Sequence, residues 1–484
     1  MKNEHNMIIS QYDHLNLKID ADDDKLESIN DFFTAYVPNH YHMPMFRSGI
    51  WDGKVRLFNL SGSTLPYGLL SDLIKHYKKI YPDDIIKITD DIKNIYKGKE
   101  ITPIYNLNKK PYYYQKDCIE TALKYSKGLI RSATASGKSL IISYIIKTLM
   151  ENDLTKHSLI VVPTVSLVEQ FYGDMIDYGL DKNIIGRVYD KYKEFDNTIT
   201  ISTWQSLMRN HRFLPGYDCI IIDEAHQIKS TEITKIAKKA THATYRLGFT
   251  GTLPSDKLDL FNIKAYIGPI LREYGPGQLS SEGYISKCNI NAINFSYSDD
   301  FGNDYNEIKQ LAFQHKARLR LIFDIANKVD SNILILVGLV EKEGNVLFEY
   351  IKSKTNKTVI FLNGKTKIED REYWRKICED KKDIILIATY GIFAQGLNIP
   401  SLKYVVLGSP FKSEIRVLQS IGRALRLHAD KIDGAIIYDI IDNCKYLDVH
   451  GKKRLKYYTN EKFIVKEFKI STTDLLMDGE YHLP

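Results

Sequence analysis

Short runs of hydrophobic residues recur along the chain in two series, and a stretch with helical spacing follows each run. The runs are continuously apolar and rich in Ile, Val and Leu. Strands buried on both faces have this pattern, which is typical of parallel sheets covered by helices. The first series consists of Gly128–Thr134, Ser158–Pro163, Thr198–Thr203, Asp218–Asp223 and Tyr245–Thr250. The second series consists of Asn332–Gly338, Thr358–Gly364, Asp383–Thr389, Tyr404–Ser409 and Ala435–Ile440.

Five predicted strands followed by five more indicate two parallel-sheet domains in tandem, so the predicted fold class is α/β. We place the first domain at residues 111–280 and the second at residues 281–445. The boundary falls in Gly275–Tyr284, whose Gly, Pro and Ser content is typical of a linker.

The two ends of the chain do not follow this pattern. In residues 1–110, Val55–Leu60 resembles a strand, a turn follows it, and Ser71–Lys79 resembles a short helix. We therefore predict a small α+β N-terminal domain. Residues 446–484 are predicted to be a C-terminal basic tail, because Gly451–Ile470 carries seven Lys and Arg against two Glu.

The composition narrows the class of protein only a little. The chain has 484 residues, 44% hydrophobic and 26% charged, an ordinary globular balance. No apolar run approaches the roughly 20 residues that span a bilayer, so no membrane association is expected. Five cysteines lie far apart without a CxxC pair, which argues against disulfides or a zinc cluster and favours a reducing cytoplasm. A net charge of +7 is weak evidence for a nucleic-acid partner.

A candidate phosphate-binding loop follows the first predicted strand. The sequence from Ser132 to Ser139 reads SATASGKS and leads into an apolar helical pattern. Backbone N–H groups at the start of a helix can cradle phosphates. Lys138 would then neutralise the β- and γ-phosphates, and the hydroxyl of Ser139 would hold Mg²⁺. The alternative is a helix N-terminus with an incidental lysine, since Ser132 replaces the first glycine of the general motif.

The second candidate element is Asp223-Glu-Ala-His226, directly after the strand at Asp218–Asp223. Carboxylates at the carboxyl edge of a parallel sheet point into the ligand crevice. Asp223 would bind Mg²⁺, and Glu224 would orient and deprotonate an attacking water. Acidic residues also favour solvated helix starts, which is the alternative interpretation.

The third element is the sequence QSIGRALR at Gln419–Arg426. Arg423 and Arg426 are three residues apart and should share one helical face. Such arginines can stabilise charge on a transferring phosphoryl group. A basic surface stripe is the alternative.

Together these motifs resemble the superfamily 2 helicases and translocases. The set GKS, Pro163-Thr164, DEAH, Thr250-Gly-Thr252, Ala388-Thr389, Gln395-Gly396 and QSIGRALR occurs in that order over about residues 111–445. The resemblance implies two RecA-like domains that bind ATP and Mg²⁺ in their shared cleft.

The resemblance also implies a role for each matching residue. Gln115 would recognise adenine, with Tyr112 or Tyr113 stacking on the base. The phosphates would contact Thr134, Ser136, Gly137, Lys138 and Ser139. The catalytic residues would be Lys138, Asp223, Glu224, Arg423 and Arg426. Gln395 and Gly396 would close the cleft from the second domain. Coupling between ATP and nucleic acid would involve His226, Thr250, Thr252 and Gln419.

Nucleic acid should lie on the edge of both domains opposite to ATP. Hydroxyls, amides and backbone N–H groups at strand ends bind phosphates without reading bases, so binding should be independent of sequence and sensitive to salt. Trp204 would stack on a base or belong to the core. The candidates are Pro163, Thr164, Thr203, Trp204, Gln205, Asn363, Gly364, Lys365 and Thr389.

The N-terminal segment indicates which helicases these are. The sequences FRSGIWDGKVR at Phe46–Arg56 and LPYGL at Leu65–Leu69 resemble the N-terminal domain of UvsW-type phage helicases, and His450–Phe463 also resembles that group. This implies a DNA helicase that acts on branched DNA, as a monomer in the cytoplasm of a bacterial host. Interleaved basic and aromatic residues suit a duplex-contacting or strand-separating surface. They include Arg47, Trp51, Lys54 and Arg56.

Three alternatives remain. The N-terminal segment could be an ordinary small domain with Trp51 and Phe58 in its core. The enzyme could be an RNA helicase or an ATPase that remodels RNA–DNA loops, although DEAH-box RNA helicases carry several domains after their arginine motif. It could also be a nucleic-acid-binding protein with a degenerate ATPase fold, against which the complete motif set argues.

Overall fold

The computed structural model describes residues 5–95, 97–254, 256–394, 399–409 and 411–476. The chain separates into two compact units whose long segments meet at Glu273 and Tyr274. The first unit contains the N-terminal domain and the first α/β domain, and the second unit contains the second α/β domain.

The N-terminal domain is built on a four-stranded sheet in the order β5-β2-β1-β6. Strands β1 and β2 are antiparallel, while β6 runs parallel to β1. A separate hairpin, β3-β4, pairs Thr34 with Arg56. The strands are β1 Met7–Gln11, β2 Asn16–Ala21, β3 Thr34–Tyr36, β4 Lys54–Arg56, β5 Thr64–Pro66 and β6 Ile86–Ile88. The helices are α1 Asp23–Phe32, α2 Pro44–Arg47, α3 Leu70–Ile80 and α4 Asp90–Ile95.

The first α/β domain contains an eight-stranded sheet in the order β10-β9-β11-β8-β12-β13-β7-β14. Strands β9, β11, β8, β12, β13 and β7 run parallel. Its strands are β7 Lys127–Ser132, β8 Ser158–Val162, β9 Ile185–Tyr189, β10 Tyr192–Lys193, β11 Ile199–Thr203, β12 Cys219–Ile222, β13 Tyr245–Thr250 and β14 Ile270–Tyr274. Its helices are α5 Tyr113–Lys124, α6 Lys138–Glu151, α7 Val165–Asp177, α8 Trp204–Arg209, α9 Ser230–Lys239 and α10 Lys257–Ile267.

The second α/β domain contains a seven-stranded parallel sheet in the order β17-β18-β16-β19-β20-β15-β21. Its strands are β15 Cys288–Ser296, β16 Ile333–Val337, β17 Thr358–Leu362, β18 Ile384–Thr389, β19 Tyr404–Leu407, β20 Ala435–Asn443 and β21 Ile464–Ser471. Its helices are α11 Pro276–Ser281, α12 Tyr305–Gln314, α13 Lys316–Lys328, α14 Val346–Lys352, α15 Ile368–Asp380, α16 Tyr390–Ala394, α17 Glu414–Ala424, α18 Leu447–Asn460 and α19 Thr472–Leu476.

The two-sheet α/β fold is confirmed, and each of the ten predicted strands is present with ends within three residues of the prediction. The strands that the pattern missed are β9, β10, β14, β15 and β21. Strand β15 reads CNINAINFS, in which asparagines alternate with buried apolar residues, and β21 is an edge strand with exposed lysines. Neither β15 nor β21 has the continuous apolar run that marks the ten predicted strands.

The predicted linker and tail both contain regular structure. Gly275–Tyr284 includes α11, which begins with Pro276 at its first turn, where proline is favoured. The segment after residue 445 contributes α18, which packs on β20, and β21, which pairs with β15. Arg454, counted as part of a basic tail, is buried and pairs with Asp439 at 2.8 Å.

The N-terminal domain shares a hydrophobic core with the first α/β domain. Residues of β1, β2 and α3 pack in one cluster with Phe261 and Ala265 of α10. At this interface the hydroxyl of Tyr67 donates to the carbonyl of Ile267 at 3.0 Å, and Arg246 donates to the Tyr67 oxygen at 3.4 Å. The first unit is therefore one folded body and not two modules joined by a linker.

Candidate ATP site and nucleic-acid interface

The site motifs of the first α/β domain lie along one edge of its sheet. Because the strands are parallel, their carboxyl ends face the same way. Reading along that edge, β11 ends at Thr203, β8 leads into Thr164, β12 into Asp223, and β13 ends at Thr250. Strand β7 ends next to them at Ser132, where the candidate phosphate loop begins.

The candidate phosphate loop connects β7 to α6, which begins at Lys138. Gly137 precedes the helix with φ +77°, a left-handed conformation that glycine adopts without strain. A Cβ at Gly137 would lie 2.6 Å from Nε2 of Gln115, so the glycine lets that buried amide approach the loop. Within the loop Ser136 is buried and Thr134 is half-buried. The structure thus brings Gln115 to the loop, and its role in recognising adenine stays a prediction.

Asp223 is the more deeply buried of the two candidate carboxylates. It is 4% exposed, and its Oδ1 atom has no hydrogen-bond partner among the described residues. Burial, with the nearby charge of Glu224, raises the pKa of Asp223 to about 7. A buried carboxylate oxygen without a partner at the carboxyl edge of the sheet fits a cation, since Mg²⁺ prefers oxygen ligands.

Glu224 lies beside the lysine of the loop. Its backbone has φ +47°, an uncommon conformation for a residue with a side chain. Oε1 of Glu224 is 3.2 Å from Nζ of Lys138, and Oε2 accepts a hydrogen bond from the N–H of Gly251 at 3.4 Å. Burial would raise the pKa of Glu224, but the charge and the hydrogen bond of Lys138 outweigh it and lower the pKa. Glu224 is therefore ionised in this structure.

His226 connects the acidic motif to the end of β13. Its Nδ1 atom lies 2.5 Å from the hydroxyl of Thr250, which in turn donates to the carbonyl of Thr252 at 2.7 Å. Because that hydroxyl has one proton and directs it to Thr252, Nδ1 of His226 carries the proton of the pair. Burial and the charge of Lys138 lower the pKa of His226, so the ring is neutral. Three of the four predicted coupling residues, His226, Thr250 and Thr252, therefore form one hydrogen-bonded chain.

Tyr178 is a contact of the loop that the motifs did not reveal. Its hydroxyl lies 3.0 Å from Oγ of Ser139, the predicted Mg²⁺ ligand. Tyr178 directly follows α7 and is about 40 residues from the loop in the sequence. No local pattern marks a residue that reaches the site from a neighbouring helix, so only the fold could identify it.

The arginine motif does not form one helical face as predicted. Helix α17 ends at Ala424, so Arg423 lies in its last turn and Arg426 lies beyond it. The buried side chain of Lys431 donates to the carbonyls of Ala424 at 2.8 Å and of Arg426 at 3.0 Å. These bonds satisfy carbonyls that the end of a helix leaves without partners. Lys431 thereby fixes the turn that carries both arginines.

Some predicted residues of the second domain are placed and others are not. Arg423 lies over the ring of Phe393, with the guanidinium carbon 6.0 Å from the ring centroid. Gln419 is half-buried in α17. Gln395 and Gly396 lie outside the described residues.

The nucleic-acid candidates lie on the same edge of the sheets as the ATP motifs, and not on the opposite edge as predicted. All the strands concerned are parallel, so their carboxyl ends cannot face in two directions. The nucleic-acid candidates differ from the ATP motifs in their position along that edge. Thr203, on β11, is four strand spacings from the loop after β7, or about 19 Å at about 4.8 Å per strand.

In the first α/β domain, Thr164 and Thr203 cap helices α7 and α8. Their hydroxyls accept hydrogen bonds from the N–H groups of Leu167 at 3.4 Å and Ser206 at 3.3 Å. Pro163 precedes Thr164 and is buried, whereas Gln205 is exposed. Trp204 is half-buried against the core of the domain, which favours neither of its two predicted roles.

In the second domain, Gly364 and Lys365 follow β17 and are exposed, and the N–H of Lys365 donates to Asn363 at 2.9 Å. Thr389 ends the neighbouring strand β18 and is buried. This is again one end of the carboxyl edge, on the side of the sheet away from β20.

The basic residues of the N-terminal domain surround the β3-β4 hairpin. Arg56 pairs with Asp52 at 2.5 Å, and Lys54 lies over the ring of Tyr36 at 5.0 Å from its centroid. Arg47 donates to the carbonyl of Tyr41 at 3.2 Å. Trp51 is half-buried, outside the domain's hydrophobic core, and its indole N–H donates to the carbonyl of Lys54 at 2.8 Å.

Three sequence families match successive parts of the chain. Residues 6–83 match "DNA helicase UvsW, N-terminal", residues 108–255 match "Type III restriction enzyme, res subunit", and residues 316–428 match "Helicase conserved C-terminal domain". With the two parallel-sheet domains and the ordered motifs, these matches make the chain similar to the superfamily 2 helicases.

Within that class the chain resembles the UvsW type. It is 29% identical to the ATP-dependent DNA helicase uvsW of Enterobacteria phage T4, over 93% of this chain and 97% of that protein. The crystal structure of T4 UvsW superposes with a TM-score of 0.50 at 26% identity, covering 96% of this chain and all of that one.

More distant matches share less of the chain. A putative ATP-dependent RNA helicase of Acanthamoeba polyphaga mimivirus is 25% identical over 73% of this chain and 69% of its own. An HsdR fragment from Vibrio vulnificus has a TM-score of 0.59 at 17% identity, covering 89% of this chain and 79% of that one, a likeness of fold. Among the described helices, none has the length and apolar character to cross a membrane.

Proposed function

We propose that this protein is an ATP-dependent DNA helicase that remodels branched DNA, by fork reversal, branch migration of four-way junctions and duplex unwinding, in phage replication, recombination or repair. The observation that carries the proposal is the N-terminal match to the UvsW family together with alignment over 97% of the T4 protein. The helicase motifs alone would not distinguish substrates, because their candidate contacts reach only the backbone. We further propose that it acts as a monomer in the bacterial host cytoplasm.

The ion pair between Lys138 and Glu224 suggests how ATP prepares the site. Lys138 holds the carboxylate of Glu224 at 3.2 Å and lowers its pKa. When the β- and γ-phosphates of ATP attract Lys138, Glu224 loses this partner inside a buried site. Burial then raises its pKa and makes it a stronger base. The binding of substrate would thus create the base that hydrolysis needs.

Hydrolysis would then proceed by in-line attack of water on the γ-phosphorus. Glu224 takes the proton of the attacking water while the bond to the bridging oxygen breaks and ADP and phosphate form. Arg423 and Arg426 would stabilise the charge that develops on the phosphoryl oxygens. Asp223 and Ser139 would hold Mg²⁺, which would supply positive charge to the phosphates.

The hydrogen-bonded chain from His226 to Thr252 would report the state of the site. Nδ1 of His226 lies 3.5 Å from Oε2 of Glu224 and also contacts the hydroxyl of Thr250. A movement of Glu224 toward the phosphates would therefore shift His226 and, through it, Thr250 at the end of β13. Ligand-driven closure and opening of the two domains would shift their strand-end contacts along the DNA backbone.

One test of the ATP site compares matched substitutions. Lys138→Ala and Glu224→Gln should abolish DNA-stimulated ATP hydrolysis, with Lys147→Ala and Glu151→Gln as controls. The control residues form a pair on the surface of α6, with Nζ 2.7 Å from the carboxylate. Substantial turnover in either site variant would refute the assignment of the ATP site.

The substrate is tested by strand displacement on linear, tailed, forked and four-way DNA of matched length. Branched substrates should be unwound fastest, and preference for linear duplex would contradict the proposal. The alternative is an RNA helicase or an ATPase that remodels RNA–DNA loops. Stronger stimulation of ATP hydrolysis by RNA than by DNA of equal length would favour that alternative.

A further inference from the structure

The loop between β3 and β4, residues 38–53, is ordered by its own backbone. It closes where the N–H of Val37 donates to the carbonyl of Gly53 at 2.9 Å. Inside the loop, the N–H groups of Ile50 and Trp51 both donate to the carbonyl of Met45, at 3.0 and 3.1 Å. The loop is therefore a defined structure that projects from the hairpin.

Side chains at the base of the loop strengthen it. The ring of Phe46 lies edge-on against His40 with centroids 4.7 Å apart, and His40 stacks on Tyr36 at 4.8 Å. The indole of Trp51 is bonded to Lys54. These contacts hold the tip of the loop, which carries the side chains of Tyr41, Met43, Met45 and Ile50, in one shape.

The tip of the loop exposes nonpolar side chains that the fold does not use. Ile50 is 75% exposed, Met45 56%, Tyr41 53% and Met43 39%. Only Gly53 of the loop is buried, and the loop adds nothing to the hydrophobic core of the domain. An ordered segment that exposes this many nonpolar groups marks a binding surface.

The charges around the tip favour a polyanion as the partner. Asp52 is the one acidic residue among residues 38–53, and it is paired with Arg56. Arg47 lies next to the tip and Lys54 at its base, so phosphates approaching either side meet cations. Proteins that insert Ile, Met or Pro between base steps combine such apolar groups with flanking basic residues.

We propose that the tip of the loop is a wedge for the branch point, in which Ile50 and Met45 stack against bases where the strands part. Arg47 and Lys54 bind the flanking phosphates. This inference rests on the proposed action on branched DNA and adds which residues separate the strands. The α/β domains would pull the backbone, and the wedge would keep the opened bases from re-pairing.

The test uses the double substitution Met45→Ser with Ile50→Ser in the full chain. Ile85→Ser is the matched control, because Ile85 is 54% exposed in the same domain but lies outside the loop. A second variant, Met45→Leu with Ile50→Leu, keeps apolar groups at the tip. A forked DNA with 2-aminopurine at the junction reports unstacking directly, before any hydrolysis.

The serine variant should keep its melting temperature and its ATPase stimulation by single-stranded DNA. It should lose the rise in 2-aminopurine fluorescence on binding and unwind forks about tenfold more slowly. The leucine variant and the Ile85 control should behave as wild type.

If the serine variant unwinds forks at the wild-type rate and shows the wild-type rise in 2-aminopurine fluorescence, the wedge proposal is overturned. The exposed tip would then be a contact surface for a protein. The proposed function fails separately, if the wild-type protein shows no ATPase stimulation by DNA.

Discussion

Gly68 is the point of closest approach between the N-terminal domain and α10. A Cβ at this position would lie 1.7 Å from the carbonyl oxygen of Lys264 and 3.1 Å from Cα of Gly268. Ordinary contacts begin near 3.4 Å, so the two backbones would have to separate by about 1.7 Å. Because both obstacles are backbone atoms, no change of rotamer can relieve the clash.

The cost of Gly68→Ala follows from what the separation disrupts. Phe261 and Ala265 would lose close packing with the N-terminal core, and a gap of even 1 Å forfeits up to about half of the dispersion energy of a contact. The hydroxyl of Tyr67 would lose its bond to Ile267. Overpacking of this kind costs about 1–3 kcal/mol, and we expect the upper end of that range.

Chemical denaturation with two probes measures this effect. Intrinsic fluorescence and circular dichroism would give the free energy of unfolding of the first unit, and proteolysis would report loosening of residues 5–95. Gly173→Ala is the control, since Gly173 lies in α7 and a Cβ added there would meet no atom within 4 Å. That change should be neutral or stabilise by up to about 1 kcal/mol. Equal stability of Gly68→Ala and wild type would refute the packing of the domain on α10.

Three further outcomes concern the arginine motif. Arg423→Ala should bind ATP normally and hydrolyse it at least about 10³-fold more slowly. Normal turnover in a single-cycle assay would exclude a role of Arg423 in stabilising charge on the transferring phosphoryl group. Lys431→Met should lower kcat more than it changes KM, whereas the exposed Lys382→Met should change neither; equal effects would make Lys431 merely structural. Burial and Arg426 lower the pKa of Lys431 to about 8. Between pH 8 and 10.5 the unfolded chain therefore binds more protons at Lys431 than the folded chain does. The free energy of unfolding of wild type, relative to that of Lys431→Met, should then rise by about 1–3 kcal/mol over that interval. A difference in denaturation midpoints that stays constant with pH would contradict this.

The sequence predicts where the candidate ATP residues lie, because they sit at strand ends. A buried parallel strand is visible as an apolar run, and the residue after it lies at the carboxyl edge. The apolar runs alone therefore place Asp223 and Thr250 together. Tyr178 and Lys431 act through helix ends that are distant in sequence, and no local pattern marks them.

The N-terminal domain shows the limit of local patterns. Residues 1–110 are predicted from the sequence to form an N-terminal domain, and no local pattern shows that this domain shares a core with α10. Deletion of the domain would expose Phe261, Ala265 and Ala237. Complementary faces of two domains cannot be recognised from either sequence alone. Substitutions in the loop of residues 38–53 are therefore a sharper test of substrate choice than truncation.

Strand β13 connects the N-terminal domain with the candidate ATP site. Arg246, near the start of the strand, holds Tyr67, and Thr250 at its end holds His226. A strand of six residues is stiff along its length, because both neighbouring strands bond to its backbone. Load on the N-terminal domain from a resisting DNA junction would thus reach Glu224, the proposed catalytic base, through β13 and His226. Strain in β13 would then depend on whether the DNA junction has opened, and the next ATP would be hydrolysed only after it has.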